Sequence, residues 1–413
     1  MPNRAFLIPA LCFLIAPLLL PAQSGCTDPA ALNYDPTATI NDGSCEYPPT
    51  SYQPIYLADL TESLDEISGL AFINNQLWAQ TDSYTPQKLY QLHTATGLPE
   101  HETLLVNSSN TDWEDLARDD NYLYVGDFGN NDGDRSDLKI YKVPINQLSQ
   151  NAATTEVIAF QYEDQTSFEP APAQNNFDCE AFFFANDSLH LFTKRWLDQK
   201  TYHYVLPAEA GSYVAQLRDS FDTEALITAA DIDAEGHIIL LGLAPLTQEG
   251  ILWLLYDYPQ GHFFAGNKRR ISLGSPFVNG QLEGICFSGI WKGYLAAEGF
   301  GQLPPLLHFF QIESIVSSTE NPAEDQSRTG KPDSIRAWPN PFTEKITLES
   351  HKDAYIREIQ LFDASKKIIL IKRWPAAQRL PLTLETPAHL PKGIYYLRVK
   401  TENGKEEMLR LIK

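Results

Sequence analysis

The sequence has few basic residues for its length. Its 413 residues include 31 Lys and Arg against 53 Asp and Glu, so the formal net charge at pH 7 is −22. A nucleic-acid-binding protein needs a basic footprint, and this excess of acid argues against that class. It is typical of cation binding or of high solubility. Residues 331–413 hold 16 basic and 10 acidic residues, a net of +6 that leaves −28 on the remainder. Two differently built modules therefore meet near residue 330.

Several catalytic motifs are also missing. The histidines show no H-x-x-x-H spacing for a metal ion. No G-x-S-x-G elbow, P-loop or dinucleotide fingerprint occurs. Apart from the N-terminal segment, no run is apolar enough to span a bilayer. These absences leave those chemistries without support in the sequence.

The N-terminus has the layout of a secretory signal. Arg4 precedes an apolar run over residues 5–20, and Ala22 precedes the polar Gln23. A positive charge, an apolar stretch and a small residue at the cleavage point are the parts of a signal peptide. We predict a signal peptide over residues 1–22, cut after Ala22.

Two alternatives to this signal peptide remain open. The first is a membrane anchor, but Pro9 and Pro17 interrupt the apolar run, which is short for a span. The second is a lipoprotein signal that ends at Cys26, where Gln23 takes the place of the usual aliphatic residue.

Two cysteines bracket a short polar loop after the predicted cleavage point. Cys26 and Cys45 are expected to pair, because exported proteins fold where disulfides form. Residues 23–49 are also too few to build a core without such a staple. Cys179 and Cys286 lie in apolar, strand-like runs and are expected to be buried free thiols.

The segment from Gly25 to Tyr47 resembles the short Cys-loop repeats, GCTDPxAxNYxPxAxxxDGSC, of exported proteins of the Bacteroidota. It contains short oxygen-bearing side chains of the kind that Ca²⁺ takes in flexible loops. These residues are Asp28, Asn33, Asp35, Asn41 and Asp42. Calcium binding is one hypothesis for this loop, and Asx turns closed by a disulfide are the alternative.

The C-terminal part reads as a linker followed by a small β-domain. Residues 316–333 are polar and contain proline, which predicts a flexible linker. Residues 334–413 contain short alternating strands bounded by turn residues, which predicts an antiparallel β-sandwich. Strands are expected at Lys345–Leu348, Ile356–Phe362, Lys367–Ile371, Leu380–Leu384, Gly393–Val399 and from Met408 onward.

This module resembles an export signal. Residues 337–342, AWPNPF, are similar to the YPNP opening of the type A sorting domain of the type IX (Por) secretion system. Residues 390–399 are similar to its L-x-x-G-x-Y-x-x-x-V strand, and residues 411–413 to its usual ending. Ser365 departs from the glycine of the family's D-x-x-G-K turn. The resemblance implies that the type IX machinery is a partner and that the protein is secreted or reaches the cell surface, where the domain is removed or used for attachment.

A weak repeat runs through residues 50–315. Each unit has an apolar first strand followed closely by a second and a third strand. The first strands are expected to begin at Ile67, Trp113, Cys179, Ile227 and Leu282. Four units have a fourth strand, and the last unit borrows Pro54–Leu60 from the N-terminal side, as propellers do when they close. We therefore predict an all-β chain with a five-bladed β-propeller; six blades are the alternative because the second unit is long.

Equivalent positions on the first strands of a propeller converge on its central channel. Alignment of the five first strands brings these residues to one position: Ser68, Glu114, Glu180, Thr228 and Glu283. Three carboxylates near one axis repel one another unless a cation neutralises them, and Ca²⁺ takes about six to eight oxygen ligands. We predict a central calcium ion held by these five residues; a water-filled polar channel is the alternative.

This pattern resembles the calcium-activated nucleotidases (apyrases), five-bladed propellers in which serine and glutamate of the inner strands hold a central calcium. Residues 114–117 (EDLA), 122–126 (YLYVG) and 283–287 (EGICF) carry the resemblance. Lys194 and Arg195 are similar to the family's phosphate-facing basic pair. The resemblance implies calcium as a cofactor and puts Lys194 and Arg195 forward as catalytic residues.

A second resemblance is to phytase-like propellers, which have E-G/D-[IL]-A inner strands and acidic loops. Residues 126–135, GDFGNNDGDR, are rich in oxygen ligands and glycine. Asp127, Asn131, Asp132 and Asp134 are the expected ligands of a second Ca²⁺ that bridges to phosphate or orients water. A solvated, Asx-rich turn is the alternative.

Two functions follow from these patterns. The first is an exported calcium-binding propeller that binds a ligand or partner without catalysis. The second is a calcium-dependent phosphoester hydrolase that uses the loop Asp127–Arg135, either Glu114 or Asp115, and the pair Lys194 and Arg195. The chain lacks the apyrase family's basic residue after Asp82 and its lysine in the fourth blade, and it has no obvious nucleophile. The sequence therefore favours the binding function.

Overall fold

Strands make up most of the described chain. A computed structural model describes residues 22–83, 85–317, 335–338, 342–350, 354–363, 367–387, 390–391, 394–402 and 406–413. The predicted signal peptide, the linker beyond residue 317 and Ser365 lie outside the described residues, except for Ala22. The predicted all-β class, with a propeller followed by a β-sandwich, is confirmed by the strand order.

Residues 55–311 contain five groups of four antiparallel strands, and we number these groups blades 1 to 5 in chain order. Their first strands are Ile67–Ile73, Trp113–Arg118, Asp178–Ala185, Leu226–Ile232 and Gln281–Gly289. Their second strands are Gln76–Thr81, Tyr122–Asp127, Ser188–Lys194, Ile238–Leu243 and Lys292–Glu298. Their third strands are Lys88–Leu92, Lys139–Pro144, Lys200–Pro207, Gly250–Tyr256 and Leu306–Gln311. Their fourth strands are Pro99–Val106, Glu156–Tyr162, Gly211–Asp222, Asn267–Gly274 and Ile55–Asp59.

The ring closes through the N-terminal strand. Ile55–Asp59 precedes blade 1 in the chain but pairs antiparallel with Leu306–Gln311 of blade 5. The first strand of each blade contacts the first strands of the two neighbouring blades, and those of blades 5 and 1 also meet. A β-carbon on Gly284 would overlap the carbonyl oxygen of Ser68, so the glycine lets these two strands approach.

Apolar side chains between the blades hold the ring together. The strand Ile238–Leu243 is buried along its whole length, because neighbouring blades cover both of its faces. Phe183 and Phe192 of blade 3 pack with Ile227 and Leu240 of blade 4 in one cluster. Full burial of one such large side chain contributes about 1.5–3 kcal/mol. This is why the inner strands read as apolar runs rather than alternating ones.

The outer edges of four blades are covered. The fourth strands of blades 2 and 3 pair with each other in parallel, which joins the two blades into one eight-stranded sheet. Short strands at Ala152–Thr154 and Thr50–Ser51 add to the outer edges of blades 1 and 4. The strand Gly211–Asp222 is long because it has hydrogen-bonding partners on both sides. Covered edges leave fewer unpaired backbone groups for another chain.

The short N-terminal module is closed by the predicted disulfide. The sulfur atoms of Cys26 and Cys45 are 2.05 Å apart, which confirms the pairing. The module docks on blade 4, since the carboxylate of Asp28 accepts hydrogen bonds of 2.7 Å from the hydroxyls of Tyr47 and Tyr256. Cys179 and Cys286 are buried free thiols, as expected.

The oxygen-bearing side chains of this module are engaged in turns. Asp35 accepts from the backbone N–H of Thr37 at 2.8 Å, and Asp42 accepts from that of Ser44 at 3.0 Å. Asn41 donates to Asn267 of blade 4 at 2.9 Å. These contacts favour the Asx-turn interpretation of the loop over a calcium site.

The C-terminal module is a sandwich of two sheets. One contains Ile335–Trp338, Lys345–Ser350 and Leu382–Glu385, and the other contains Ile368–Arg379, Tyr355–Asp363, Ile394–Thr401 and Glu406–Ile412. Their facing side chains form a separate apolar core that includes Leu348, Ile359 and Leu397. Strand Ile368–Arg379 extends beyond the predicted Lys367–Ile371, because it stays paired with Tyr355–Asp363 across two register shifts.

The helices of the described residues are short. The α-helices are Pro276–Asn279 and Glu313–Ser317, and the 3₁₀ helices are Glu62–Leu64, Ile145–Gln147 and Phe263–Ala265. Among the described residues, none of the helices has the length and apolar character that crossing a membrane requires.

A buried carboxylate ties three blades together at the channel. Asp115 is fully buried and accepts hydrogen bonds from three backbone N–H groups, those of Leu116, Phe182 and Ala230, at 2.8, 3.2 and 3.1 Å. These donors belong to the first strands of blades 2, 3 and 4. Asp231 joins blades 4 and 5 in the same way, by accepting from Phe287 N–H at 2.7 Å. This arrangement gives Asp115 a structural role.

Asp115→Asn is expected to lower the free energy of unfolding by about 2–3 kcal/mol, because an amide NH₂ would face backbone donors that now bind a carboxylate. Chemical denaturation of the purified propeller measures this change. The exposed Asp120→Asn is the control and is expected to change stability by less than about 0.5 kcal/mol. Full stability of Asp115→Asn would contradict the structural role.

Candidate functional site

The five residues predicted to line the channel share one backbone feature. In every blade the pairing between first and second strands shifts register at the predicted residue: Ser68, Glu114, Glu180, Thr228 and Glu283. Such β-bulges re-aim a side chain and are over-represented next to active sites. All five residues are at most 6% exposed. The five blades thus share a bulge at the position that the alignment of first strands singled out.

The two hydroxyl residues of this set bind neighbouring backbone. Ser68 Oγ donates to the carbonyl of Glu114, and Thr228 Oγ1 donates to the carbonyl of Leu282 at 3.2 Å. Each bond links the first strands of two blades. Ser68 and Thr228 thus contribute to ring closure.

A lysine of the chain supplies one positive charge at this level. Lys194 ends the second strand of blade 3, and its Nζ lies 2.6 Å from Glu180 Oε1. The ammonium also lies 4.8 Å from the centre of the Trp196 ring. Burial lowers the pKa of Lys194, but Glu180, Glu283 and Asp178 outweigh burial and raise it above its ordinary value. Lys194 therefore stays charged among the acids.

Further carboxylates reach the same end of the channel, and the alignment of first strands missed them. Asp82 follows the second strand of blade 1, Asp112 precedes the first strand of blade 2, and Glu298 ends the second strand of blade 5. In a four-stranded antiparallel blade, the end of the second strand lies beside the start of the first. That rule is the signal that would have found them. We call the set Asp82, Asp112, Glu114, Glu180, Glu283 and Glu298 the acidic mouth.

Two triads of carboxylates converge within the acidic mouth. One oxygen from each of Asp82, Asp112 and Glu114 lies within 4.8 Å of the others. Asp82 forms a second such triad with Glu298 and the exposed Glu66. A β-carbon on Gly129 would overlap Glu114 Oε1 and lie 2.5 Å from Asp112 Oδ2. Only glycine at position 129 leaves room for both carboxylates.

The electrostatics of the acidic mouth favour a bound cation. Burial, reinforced by Glu180 and Asp82, raises the pKa of Glu114 well above its ordinary value. Burial, Asp82 and Asp178 raise the pKa of Asp112 to about 8, and burial with Glu283 and Asp82 raises that of Glu298 to about 9. Without a cation Asp112 and Glu298 hold protons at neutral pH, and a cation would displace them.

Arg195, the other half of the expected basic pair, is turned away from the acidic mouth. It is 5% exposed, and its Nη2 and Nε lie 2.6 and 2.9 Å from Asp198. Its guanidinium lies 3.5 Å from the centre of the Tyr202 ring. Lys194 and Arg195 thus do not face one common centre.

The residues of the acidic loop after the second strand of blade 2 do not converge in the way that the ligands of a metal ion would. Asp127 is fully buried and pairs with Arg135 at 2.9 Å and Lys139 at 3.5 Å. Asn131, Asp132 and Asp134 are exposed. Within the part of the chain that the structure describes, the acids that converge to metal-binding distance form the two triads above, and neither triad includes this loop.

The opposite end of the channel is an open depression to which all five blades contribute. Two adjoining cavities of about 350 and 440 Å³ share Arg118, Asp119, Asp120 and Asp233 in their walls. Volumes of this order hold small-molecule ligands. The protein thus offers two mouths of different composition.

The sequence of residues 336–413 matches the family described as "Secretion system C-terminal sorting domain". Among curated proteins, ribulose bisphosphate carboxylase/oxygenase activase of Spinacia oleracea is 68% identical over 28 residues. That match covers 7% of this chain and 6% of the relative's length, so it says nothing about the rest of either protein.

Solved structures give only distant likenesses. An exo-β-1,3-galactanase from Phanerochaete chrysosporium is 8% identical, with a TM-score of 0.43, and the match covers 87% of this chain and all of that one. A calcium-binding regucalcin from Agrobacterium tumefaciens is 12% identical, with a TM-score of 0.33, covering 63% of this chain and 95% of that one. At these scores neither carries an argument about function.

The family match confirms the export signal that the C-terminal motifs predicted. It covers the sandwich alone. Residues 336–413 are a secretion system C-terminal sorting domain, and the protein is a cargo that type IX secretion carries to the cell surface or the extracellular space.

Proposed function

We propose that this protein is an exported, calcium-binding five-bladed propeller that binds a ligand or partner. The observation that supports calcium most directly is the triad of Asp82, Asp112 and Glu114, whose oxygens lie within 4.8 Å of one another. Within the acidic mouth the one ammonium, Lys194, is already bound to Glu180. The remaining buried carboxylates lack a counter-charge of their own, and burying an unpaired charge is costly.

Calcium fits this donor set better than a transition metal does. The triad offers only carboxylate oxygens, the ligands that hard cations such as Ca²⁺ prefer. Zinc and copper sites draw on imidazole and thiolate groups, and neither occurs in the two described triads. The cofactor of this site is therefore proposed to be calcium.

The proposed ion lies off the position expected from the five aligned residues. Of Ser68, Glu114, Glu180, Thr228 and Glu283, Glu114 has a carboxylate in the triad. Glu180 is held by Lys194, and the two hydroxyls are engaged with backbone. We propose that Glu114 joins Asp82 and Asp112, which moves the ion from the axis toward blades 1 and 2. The loop Asp127–Asp134 remains a separate prediction of a second site.

Binding is favoured over phosphoester hydrolysis by the state of the two basic residues. Lys194 is surrounded by carboxylates, which repel a phosphate group, and Arg195 is paired with Asp198. Asp115 is buried and accepts hydrogen bonds from three backbone N–H groups, so it does not face solvent. The resemblance to apyrase- and phytase-like propellers is proposed to extend to calcium and not to their chemistry.

Millimolar calcium is expected to raise the melting temperature of the mature protein by about 5–10 °C, because an ion bound only by the folded state stabilises it by mass action. Asp112→Asn and Glu114→Gln should each abolish most of this shift. The matched control is Asp132→Asn with Asp134→Asn, which removes two acids from the exposed loop. If that control loses the shift and Glu114→Gln keeps it, the ion belongs to the loop.

The stability of the calcium-free protein is expected to fall as the pH rises. Asp112 and Glu298 titrate near pH 8 and 9 in the fold but have ordinary values of 3.8 and 4.5. Between these limits the folded state binds more protons than the unfolded state, so the stability they confer is present at low pH and lost through pH 8–9. Denaturation from about pH 5 to about pH 9 should show a progressive loss of stability, which calcium should reduce. A rise in stability over this range would contradict the site.

The mature protein is expected to release no phosphate from nucleotides, phytate or simple phosphoesters, with or without calcium. The reason is that its two candidate basic residues are already engaged in ion pairs. Calcium-dependent turnover that disappears in both Lys194→Ala and Arg195→Ala would establish the hydrolase instead. Turnover that survives both substitutions would indicate a contaminating enzyme, which a repeat purification would remove.

A further inference from the structure

We propose that the acidic mouth is a docking site for a segment of another protein that presents a lysine or arginine among apolar side chains. The inference rests on the proposed function, because it uses the same carboxylates, and it adds the chemistry of the partner. It follows from three observations: where the exposed apolar residues lie, what the mouth already binds, and how its charge is balanced.

Exposed apolar side chains lie on loops at the end of the propeller that holds the acidic mouth. Loops that join second to third strands, and one blade to the next, emerge at the end where the first strands begin. Four of these loops each present one large exposed apolar residue, and we call this set the apolar rim: Phe168, Leu197, Leu246 and Phe277. Leu246 is 97% exposed and Phe277 is 64% exposed. The rim thus extends from the connection between blades 2 and 3 to the connection between blades 4 and 5.

The rim and the main carboxylate triad occupy different sectors of the same end. Asp82, Asp112 and Glu114 belong to blades 1 and 2, whereas the apolar rim belongs to the loops of blades 2 to 5. A segment lying across the mouth would meet acids on one side and apolar groups on the other. Clustered exposed apolar residues beside polar ones are typical of interaction surfaces.

The mouth already holds a charged amine of its own chain. The ammonium of Lys194 is bound by Glu180 and lies over the ring of Trp196, in a half-buried position. This contact shows that carboxylate and indole together accept an ammonium group here. Glu114 is 5% exposed, and its carboxylate makes no hydrogen bond among the described residues. This free carboxylate is where a second cationic group would bind.

The charge of this end selects a basic occupant. The acids of the mouth outnumber its one ammonium, and a cationic group placed among them favours their ionised form, as a metal ion would. Arg195, Arg135 and Lys139 nearby are already paired with aspartates. An anionic ligand would be repelled by this surface, and a nucleic acid even more so. A basic and apolar protein segment matches both the charge and the rim.

The test uses the mature protein in the presence of a chelator and a fluorescent synthetic peptide in which lysine alternates with leucine and phenylalanine. Two control peptides have glutamate in place of lysine, or serine in place of the apolar residues. We expect the first peptide to bind at least about tenfold more tightly than either control, with an affinity that falls as salt rises. Equal binding of all three peptides, or no binding, would overturn the proposal.

Variants at both ends of the channel locate the site. Leu246→Ser with Phe277→Ser, and separately Glu114→Gln, should each weaken peptide binding by about tenfold. The matched control, Leu98→Ser with Ile290→Ser, removes two exposed apolar residues from the opposite end and should leave binding unchanged. Loss of binding in the control alone would overturn the proposal, as would a concentration-dependent dimer, abolished by the rim variant, that excludes the peptide.

Melting curves of the same preparations with calcium separate the two proposals. If the peptide binds but calcium leaves the melting temperature unchanged, the calcium site fails and the docking site stands. If calcium stabilises the protein but the peptide does not bind in chelator, the docking site fails and the calcium site stands.

Discussion

The burial of several carboxylates around a single ammonium is the constraint on which the propeller's inner architecture depends. Lys194 neutralises Glu180, but the other acids of the mouth are held at close range with raised pKa values. Such a cluster opposes folding, and the apolar contacts between blades must offset that cost. The mouth is therefore a place where stability has been given up, which is typical of functional sites rather than of scaffolding.

The backbone is adapted to this cluster in several independent ways. A bulge in each first strand turns one side chain inward, and Gly129 leaves space for two carboxylates. Asp115 and Asp231 hold the first strands together by accepting backbone N–H groups, so the ring does not depend on the acids of the mouth for its cohesion. The sorting domain has an apolar core of its own, so the export signal is structurally separate from the acidic mouth.

The repeat in the sequence was sufficient to predict the propeller, because apolar strands at regular spacing leave few other folds. The borrowed strand near Ile55–Asp59 followed from the same counting, and the Cys26–Cys45 bridge followed from the predicted export and the small size of its module. Asp82 and Asp112 were not predicted as ligands. They lie just outside the strands, where alignment of the repeat does not define equivalent positions. The orientation of Arg195 was also beyond the sequence: Lys194 and Arg195 are adjacent, and only the strand's end decides which one faces the channel.

The closing strand has a consequence for the order of folding. Ile55–Asp59 leaves the ribosome early, but its partner strand Leu306–Gln311 follows about 250 residues later. Contacts so distant along the chain form slowly, and the waiting edge is open to wrong pairing meanwhile. The sorting domain comes only after that partner strand. A chain truncated before its ring is complete would therefore also lack the sorting domain. The order of the modules thus prevents the secretion of incomplete propellers.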